Sequence, residues 1–344
     1  MPRILMDTTA ARPHGSHARF GSKPVRYHDA AEDIGSGGSG MTTPRQLQEM
    51  YAQGQNITAF LRDEQGLEAN TRDIIEIAYD LQAGSYIASM DNDERVLHKN
   101  AYAQAIADTI LALGEPVTVL EAGVGEATTL SGVLQRLNSD VRGFGFDLSW
   151  SRAAHGMRWL HSQGITNASL STGDLVNIPF GDNAIDVVYT SHSIEPNGGN
   201  EEPILRELYR VARNYLVLLE PGYELADAAA RERMDAHGYA KNLKATAEAL
   251  GYDIIEHKLF EPALNPLNPT ALTIIRTNAS GAQPLDVFAC PQFKTPLKSV
   301  GGMLFSPEAL AVYPIIGTIP CLRIENAILA SKYELLASQG ADEG

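Results

Sequence analysis

Val117-Thr-Val-Leu-Glu-Ala-Gly-Val-Gly-Glu-Ala-Thr-Thr-Leu130 is the stretch that decides the fold of this chain. It predicts a short buried strand, a glycine turn and the start of a helix, which is how nucleotide-binding α/β proteins pass from their first strand to their first helix. Gly123 and Gly125 allow a tight turn and let a ligand approach the backbone closely. Glu121 stands at the end of the strand, where its carboxylate can accept a hydrogen bond from a ligand. The turn alone leaves open which nucleotide is bound, because other glycine-rich strand-to-helix junctions share the pattern.

Strands and helices alternate from residue 117 to about 278, as a doubly wound sheet requires. The predicted strands are Val117–Glu121, Val141–Asp147, Ala168–Thr172, Ala184–Thr190, Tyr215–Glu220, Tyr252–Phe260 and Ala271–Thr277. Helices are expected near residues 128–138, 151–163, 201–213 and 224–250. No helix separates the last two strands, and their proline-rich linker favours an antiparallel hairpin. The prediction is an α/β fold with a seven-stranded doubly wound, Rossmann-like sheet.

Residues outside this sheet divide into three further predicted regions. Residues 41–115 carry helix-spaced apolar side chains and are expected to form an N-terminal helical lid, with a helix start at Thr42-Thr43-Pro44. The sheet itself is assigned to residues 116–280, and a small β-rich domain to residues 284–334. Residues 1–40 are polar and end in Gly35-Ser-Gly-Gly-Ser-Gly40, which is typical of a flexible linker.

Polar residues follow consecutive predicted strands at the edge where such a sheet binds its ligand. Asp147 ends the second strand, about 20 residues beyond the glycine turn, and is suited to hydrogen-bond the two hydroxyls of a ribose. Asp174 follows the third strand and could accept from the exocyclic amine of adenine. A dinucleotide fingerprint is not met, because Thr128 stands where its third glycine would fall, and no Gly-Lys-Ser/Thr of a phosphate-binding loop follows.

The chain between about residues 75 and 278 resembles the class I S-adenosylmethionine (SAM) dependent methyltransferases. Ala127 stands where many members have a third glycine, and residues 177–189 are similar to a segment of small-molecule methyltransferases. Tyr79 and Tyr86 resemble the lid tyrosines of relatives of the quinone-biosynthesis methyltransferases. The resemblance implies SAM as cofactor and a cofactor site made of Tyr79, Tyr86, Glu121, Gly123, Gly125, Asp147, Leu148, Gly173, Asp174, Leu175, Thr190 and Ser191.

The catalytic candidates are His192 and Glu195, which follow the fourth strand. Methyl transfer from a sulfonium needs an aligned nucleophile, exclusion of water and removal of a proton from a neutral hydroxyl or amine. His192 is the better base because its ordinary pKa is about 6.5. Two alternatives stay open: His192 only shapes the pocket or contacts SAM, and Glu195 holds an amine or caps a helix beginning near Pro196. Tyr223 is expected either to line the acceptor pocket or to lie in the core.

Two motifs that would identify the acceptor do not occur. The sequence after strand four is Ser191-His-Ser-Ile rather than Asn/Asp-Pro-Pro-Tyr/Phe, which argues against methylation of amides and nucleobase amino groups. The single Pro-Cys pair, Pro320-Cys321, lies in the tail and argues against a covalent cytosine mechanism.

The tail resembles a zinc-ribbon-like domain that has lost its ligands. Cys290 keeps one position of the first cysteine pair and Phe293 replaces its mate, whereas the run from Tyr313 to Pro320 survives. A structural zinc needs about four ligands, so no metal is expected. The resemblance implies a metal-free relic with a docking or gating role. Its predicted apolar core consists of Phe293, Leu297, Leu304, Phe305, Leu310 and Ile316.

Composition restricts the partners. The formal net charge of −15 argues against nucleic acid and against anionic membrane surfaces. Two widely separated cysteines and the lack of a signal-peptide pattern or of a long apolar run predict a reduced, cytoplasmic protein. A homodimer is compatible with the sequence but not required by it.

Three functions are therefore considered. The first is SAM-dependent methylation of a small-molecule acceptor, such as a natural-product or sugar precursor. The second is methylation of a peptide or protein, with residues 1–34 as a tethered substrate or partner whose local concentration the linker raises. The third is a catalytically silent scaffold that binds SAM.

Overall fold

The computed structural model describes residues 42–262, 265–279, 283–284 and 286–339. Residues 1–40, the predicted linker and tethered peptide, lie outside these ranges. The structure therefore does not test that hypothesis. The chain divides into two compact units, residues 1–60 and 61–344. In the first unit, helix α1 (Pro44–Ala52) begins where the sequence predicts, with Thr43 accepting from the amide of Gln46 in a capping box.

The second unit is built on a seven-stranded sheet. Its strands are β1 (Thr118–Ala122), β2 (Arg142–Asp147), β3 (Ala168–Thr172), β4 (Ile185–Ser191), β5 (Ala212–Pro221), β6 (Asp253–Leu259) and β7 (Thr270–Arg276). Their order across the sheet is β3-β2-β1-β4-β5-β7-β6. The first five run parallel, and β7 is antiparallel to both β5 and β6. The predicted seven-stranded sheet with a terminal antiparallel hairpin is confirmed.

Helices precede and flank this sheet. They are α2 (Ile57–Gln65), α3 (Arg72–Leu81), α4 (Ser85–Ala88), α5 (Asp93–Leu113), α6 (Thr128–Leu134), α7 (Trp150–Ser162), α8 (Glu201–Val211), α9 (Ala228–Ala236) and α10 (Leu243–Ala249). Successive strand residues point to opposite faces, and each face supports a core. Val119, Val187 and Val217 pack with α5, α6 and α7, whereas Leu120, Val188 and Leu216 pack with α8 and α10.

The single helix predicted over residues 224–250 is wrong. Two helices, α9 and α10, occupy this range, and the backbone between them turns through left-handed conformations at Gly238 (φ 65°) and Asn242 (φ 58°). Glycine and asparagine adopt this conformation at low energy, so the helix can end and restart there. The break also lets the amide of Ala240 donate to the carbonyl of Glu195 at 2.9 Å.

Residues 286–339, named here the C-terminal β segment, follow the sheet. They contain β8 (Lys298–Val300), β9 (Met303–Ser306), β10 (Ala311–Tyr313), β11 (Ile315–Ile316), β12 (Ile319–Pro320), β13 (Ile328–Leu329) and α11 (Tyr333–Gln339). A four-stranded sheet has the order β13-β10-β9-β8. The small β-rich region is confirmed, whereas its division from the sheet as a domain stays a prediction.

The core expected for this segment is partly wrong. Phe305 is buried and Leu297 and Leu304 pack against the small core, but Phe293, Leu310 and Ile316 are 44–52% exposed. Cys290, Tyr313 and Leu322 form that core instead. Pairing of short strands decides which side chains point inward, and a list of apolar residues does not contain that information.

Candidate functional site

A cavity of about 420 Å³ opens at the carboxyl ends of the parallel strands. It is lined by thirteen of the fourteen predicted site residues, which are Tyr79, Tyr86, Glu121, Gly123, Gly125, Asp147, Leu148, Gly173, Asp174, Leu175, Ser191, His192 and Glu195. Thr190 is fully buried and does not belong to the lining. Parallel strands end at one edge of the sheet, so Glu121 near the end of β1 and Glu195 after β4 both line this cavity although they are far apart in the sequence.

The glycine turn forms a cradle that side chains would fill. Gly123 has φ 77°, and a Cβ on it would lie 2.2 Å from Cβ of Ser193. Gly125 has φ 54°, and a Cβ there would lie 2.6 Å from Nη2 of Arg152. The positive φ favours glycine at both positions, and at Gly123 the space beside Ser193 excludes a side chain as well. Ala127, where a third glycine was noted as missing, also has a positive φ of 55°.

Asp147 connects the glycine turn to the start of α7. Its Oδ2 accepts from the amide of Gly125 at 2.9 Å, and its Oδ1 accepts from the amide of Ser149 at 2.9 Å. Both amides belong to the loops that surround the cavity. The carboxylate predicted to hold a ribose is thus fixed in orientation before any ligand binds.

Asp174 lines the cavity beside a cation, Arg72, that the sequence analysis did not identify. Nε of Arg72, from α3, is 2.9 Å from Oδ2 of Asp174. Burial raises the pKa of Asp174, and the neighbouring Arg72 guanidinium opposes this without cancelling it.

Glu121 and Lys99 are two ionisable residues that line the cavity near the glycine turn. Oε2 of Glu121 accepts from the hydroxyl of Tyr189 at 3.0 Å, and burial raises the pKa of this carboxyl. Lys99, from α5, lies with Nζ 3.3 Å from Oγ1 of Thr129. Burial lowers the pKa of Lys99, while the charge of Glu121 acts in the opposite direction. A carboxyl group and a lysine amine therefore line the cavity beside the glycine turn.

The lid residues surround a second missed cation, Arg152. Its guanidinium carbon lies 5.1 Å from the ring centroid of Tyr79 and 4.9 Å from that of Tyr86. The side chain is buried, and its Nε has no hydrogen-bond partner among the described residues. A buried donor without a partner is unfavourable and marks a position where a ligand acceptor would be stabilised.

Glu126 attaches the short lid helix α4 to the glycine turn. Its carboxylate, 2% exposed, accepts from the amides of Gly84 at 2.9 Å and Ile87 at 2.8 Å. These are amides at the start of α4, which carries Tyr86. The lid helix α4 and the glycine turn are thus joined by direct hydrogen bonds.

His192 and Glu195 are in contact and both line the cavity. Nδ1 of His192 is 2.6 Å from Oε2 of Glu195, and Nε2 is 2.8 Å from Oγ1 of Thr270. Burial opposes protonation of His192, but the hydrogen bond and charge of Glu195 outweigh it and raise the pKa of the imidazole. Glu195 also accepts from Nδ2 of Asn268 at 3.2 Å. It does not cap a helix, because the next helix, α8, begins at Glu201 with Asn200 as its N-cap residue.

Glu220, at the end of β5, is a buried carboxylate that the sequence analysis did not select. It accepts from the amides of Ser193, Ile194 and Glu195 at 3.1–3.2 Å and thereby fixes the loop after β4. Burial raises its pKa to about 7. Its place at the end of a strand, the signal that identifies Asp147, predicts Glu220 as well. No sequence motif identifies Arg72 or Lys99, which lie on the lid helices.

Comparison with known proteins identifies the class of domain. Residues 119–214 match the family of methyltransferase domains. Among solved structures, a SAM-dependent methyltransferase from Aquifex aeolicus is 17% identical, covers 56% of this chain and 96% of its own, and has a TM-score of 0.42. For geranyl diphosphate C-methyltransferase from Streptomyces coelicolor the values are 13%, 51%, 80% and 0.42. No curated protein matches the sequence.

The matched segment begins within β1 and ends within β5, so it contains the glycine turn and the strand-end carboxylates. Because the TM-scores of the solved structures are below 0.5, the assignment of the domain depends on the family match and on the geometry of the cavity. Residues 119–214 are therefore identified as a methyltransferase domain.

A metal-ion cluster and a membrane-spanning helix are both absent from the described residues. Across residues 42–262, 265–279, 283–284 and 286–339, no three His, Cys, Asp or Glu side chains are placed to hold a metal ion. No helix within these ranges combines the length and the apolar character that crossing a membrane requires.

Proposed function

We propose that the protein transfers the methyl group of SAM to a hydroxyl or amine of a small-molecule acceptor, of the natural-product or sugar type. The observation that carries the proposal is the continuity of one cavity from the strand-end carboxylates to His192, Asn268 and Thr270. Residues of the lid helices and of the β6–β7 loop line it together, so an acceptor has to enter the cavity to be methylated. This favours a small molecule over a folded protein surface.

The residues of the cavity fit SAM. The glycine cradle leaves room at the backbone, Asp147 is oriented for a ribose, and Asp174 is available to the adenine amine. The unpartnered Nε of Arg152 and the ammonium of Lys99 offer positive charge to the carboxylate of the methionine part. When bound, SAM supplies a methyl group activated by a sulfonium.

Proton removal is assigned to the pair His192 and Glu195. Glu195 accepts the Nδ1–H of the imidazole, which leaves the Nε2 lone pair of the neutral ring facing the hydroxyl of Thr270. An acceptor hydroxyl that takes the place of the Thr270 hydroxyl would give its proton to Nε2. The resulting imidazolium is stabilised by Glu195.

The test separates the acceptor classes by mass. The full chain is incubated with methyl-labelled SAM and pools of hydroxylated and amino metabolites, and label is sought in the small-molecule fraction and in peptides of the protein. Label in a small molecule supports the proposal. Label confined to residues 1–34 would replace it with peptide methylation, and SAM binding without product in any pool would favour a silent scaffold.

For the C-terminal β segment we propose a metal-free relic of a zinc ribbon. Its support is that both cysteines are buried, with Sγ of Cys290 3.4 Å from the hydroxyl of Tyr313 and Sγ of Cys321 3.7 Å from the carbonyl of Ile319. Elemental analysis of the purified protein checks this, and stoichiometric zinc would contradict it.

A further inference from the structure

A chain of ion pairs leads from the C-terminal β segment to the cofactor cavity. Glu325 contacts Arg72, which lines the cavity and pairs with Asp174 at 2.9 Å. Arg323, whose side chain is 7% exposed, contacts Glu76 and lies 3.7 Å from Glu325. Both residues of the segment therefore hold residues of the lid helix α3.

The position of Glu325 is fixed by the main sheet. Cys321 forms a parallel bridge with Thr172, the last residue of β3, only two positions before Asp174. Oγ1 of Thr172 donates to Oδ1 of Asn326, the neighbour of Glu325, at 3.4 Å. Strand β3, which leads into Asp174, thus also contacts the chain around Glu325. Glu325 in turn contacts Arg72, the partner of Asp174.

The guanidinium of Arg72 is held by two carboxylates on different atoms. Its Nη1 donates a hydrogen bond to Oε1 of Glu325, and its Nε lies 2.9 Å from Oδ2 of Asp174, an oxygen that has no aligned hydrogen-bond donor among the described residues. Contacts from two different nitrogen atoms restrict the rotation of a guanidinium. The Arg72 side chain is 39% exposed, so with the Asp174 contact alone its guanidinium would be free to rotate. Arg72 and Glu76 are four residues apart on one face of α3, so the segment holds that helix at two points.

We propose that Glu325 and Arg323 are positioning residues of the cofactor site. Through them the C-terminal β segment holds Arg72 against Asp174 and sets the affinity for the adenosine part of SAM. The inference rests on the proposed role of Asp174 toward adenine and gives this segment a function in cofactor selection.

The test is calorimetric titration of the full chain with S-adenosylhomocysteine. Glu325→Gln is expected to weaken binding about five-fold, the size of one partly exposed ionic hydrogen bond. Arg72→Gln should weaken it at least as much, and the double variant should lose less than the product of the two effects, because both remove one interaction. Glu334→Gln is the matched control, since it removes a carboxylate of similar exposure from the Lys298 pair in the same segment.

A second ligand separates positioning from a general effect on the fold. S-inosylhomocysteine replaces the adenine amine with an oxygen that Asp174 cannot accept from. The wild type should prefer the adenine ligand, and Glu325→Gln should reduce this preference. Unchanged affinity in Glu325→Gln, or equal weakening of both ligands, would overturn the inference. A wild type that binds neither ligand would instead refute the cofactor assignment.

Discussion

At the scale of single residues, His192 combines a candidate base with a strained backbone. Its φ of 54° is unusual for a side chain of this size, and the contacts with Glu195 and Thr270 hold it there. The orientation of the His192 imidazole is therefore determined by the surrounding structure and not by the preferred backbone conformation of histidine.

Replacing His192 by Asn tests its role as the base, because asparagine tolerates a left-handed backbone better than most residues. We expect His192→Asn to lower the rate of methyl transfer about 100-fold and to leave binding of S-adenosylhomocysteine nearly unchanged. The measurement is single-turnover transfer to the acceptor found in the metabolite pools. Thr270→Val is the control, since it removes the Nε2 partner and keeps the imidazole. Wild-type turnover in His192→Asn would remove this residue as the base.

Glu220 should make stability depend on pH. Its pKa is raised in the folded state from 4.5 to about 7 by burial, so the folded protein favours the protonated form. The contribution to stability is complete below pH 4.5 and is lost as the pH rises toward 7. Between about pH 5.5 and pH 8 the free energy of unfolding of the wild type should fall by about 2 kcal/mol, whereas that of Glu220→Gln should not show this decrease.

Urea unfolding of both proteins across this range measures the difference. Glu202→Gln, on the exposed face of α8, serves as the control and should follow the wild type. Parallel pH profiles for the wild type and Glu220→Gln would show that this carboxyl does not titrate as described.

At the scale of elements, the lid helix α4 has only four residues and depends on a distant carboxylate. A helix this short has no stability of its own, and Glu126 supplies acceptors for its first amides. Tyr86 is therefore placed over the cavity by a residue of the glycine turn rather than by the propensity of its own helix.

The corresponding prediction concerns Glu126→Ala. Loss of the acceptors should release α4, increase amide exchange in residues 83–90 and weaken binding of S-adenosylhomocysteine about ten-fold. Hydrogen-exchange mass spectrometry and calorimetry measure the two effects. Glu115→Ala, in the exposed connection before β1, should change neither, and unaltered exchange in Glu126→Ala would contradict the capping role.

At the scale of the whole molecule, the C-terminal β segment contributes to the main core. Ile319, 1% exposed, packs in the cluster that contains Val119 and Val187 of the sheet, while Phe288 packs on the opposite cluster against Phe180. The sheet and the segment should therefore unfold together.

Ile319→Ala tests this coupling and the predicted domain of residues 284–334 at once. We expect a loss of about 3 kcal/mol in the unfolding followed by tryptophan fluorescence, because a buried side chain is removed from the sheet core. Both tryptophans lie in α7, and because Nε1 of Trp150 donates to the carbonyl of Ile316 in the segment, the measurement is made in a Trp150→Phe background, in which Trp159 alone reports on the sheet. Ile328→Ala, at a position 58% exposed, is the control. An independent domain would leave the tryptophan transition of Ile319→Ala unchanged.

The alternation of strands and helices, the glycine turn and most of the strand-end residues around the cavity could be predicted from the residues alone. Hydrophobic period and turn chemistry are local, and parallel strands bring their carboxyl ends to one edge, so these features can be recognised in a sequence. The contact partners of these residues follow only from the packing of the folded chain. Arg72 and Glu325 meet although 253 positions separate them, and Arg152 lies between two tyrosines of the lid. Such pairs depend on how helices and loops pack around the sheet, and no local pattern of residues encodes that packing.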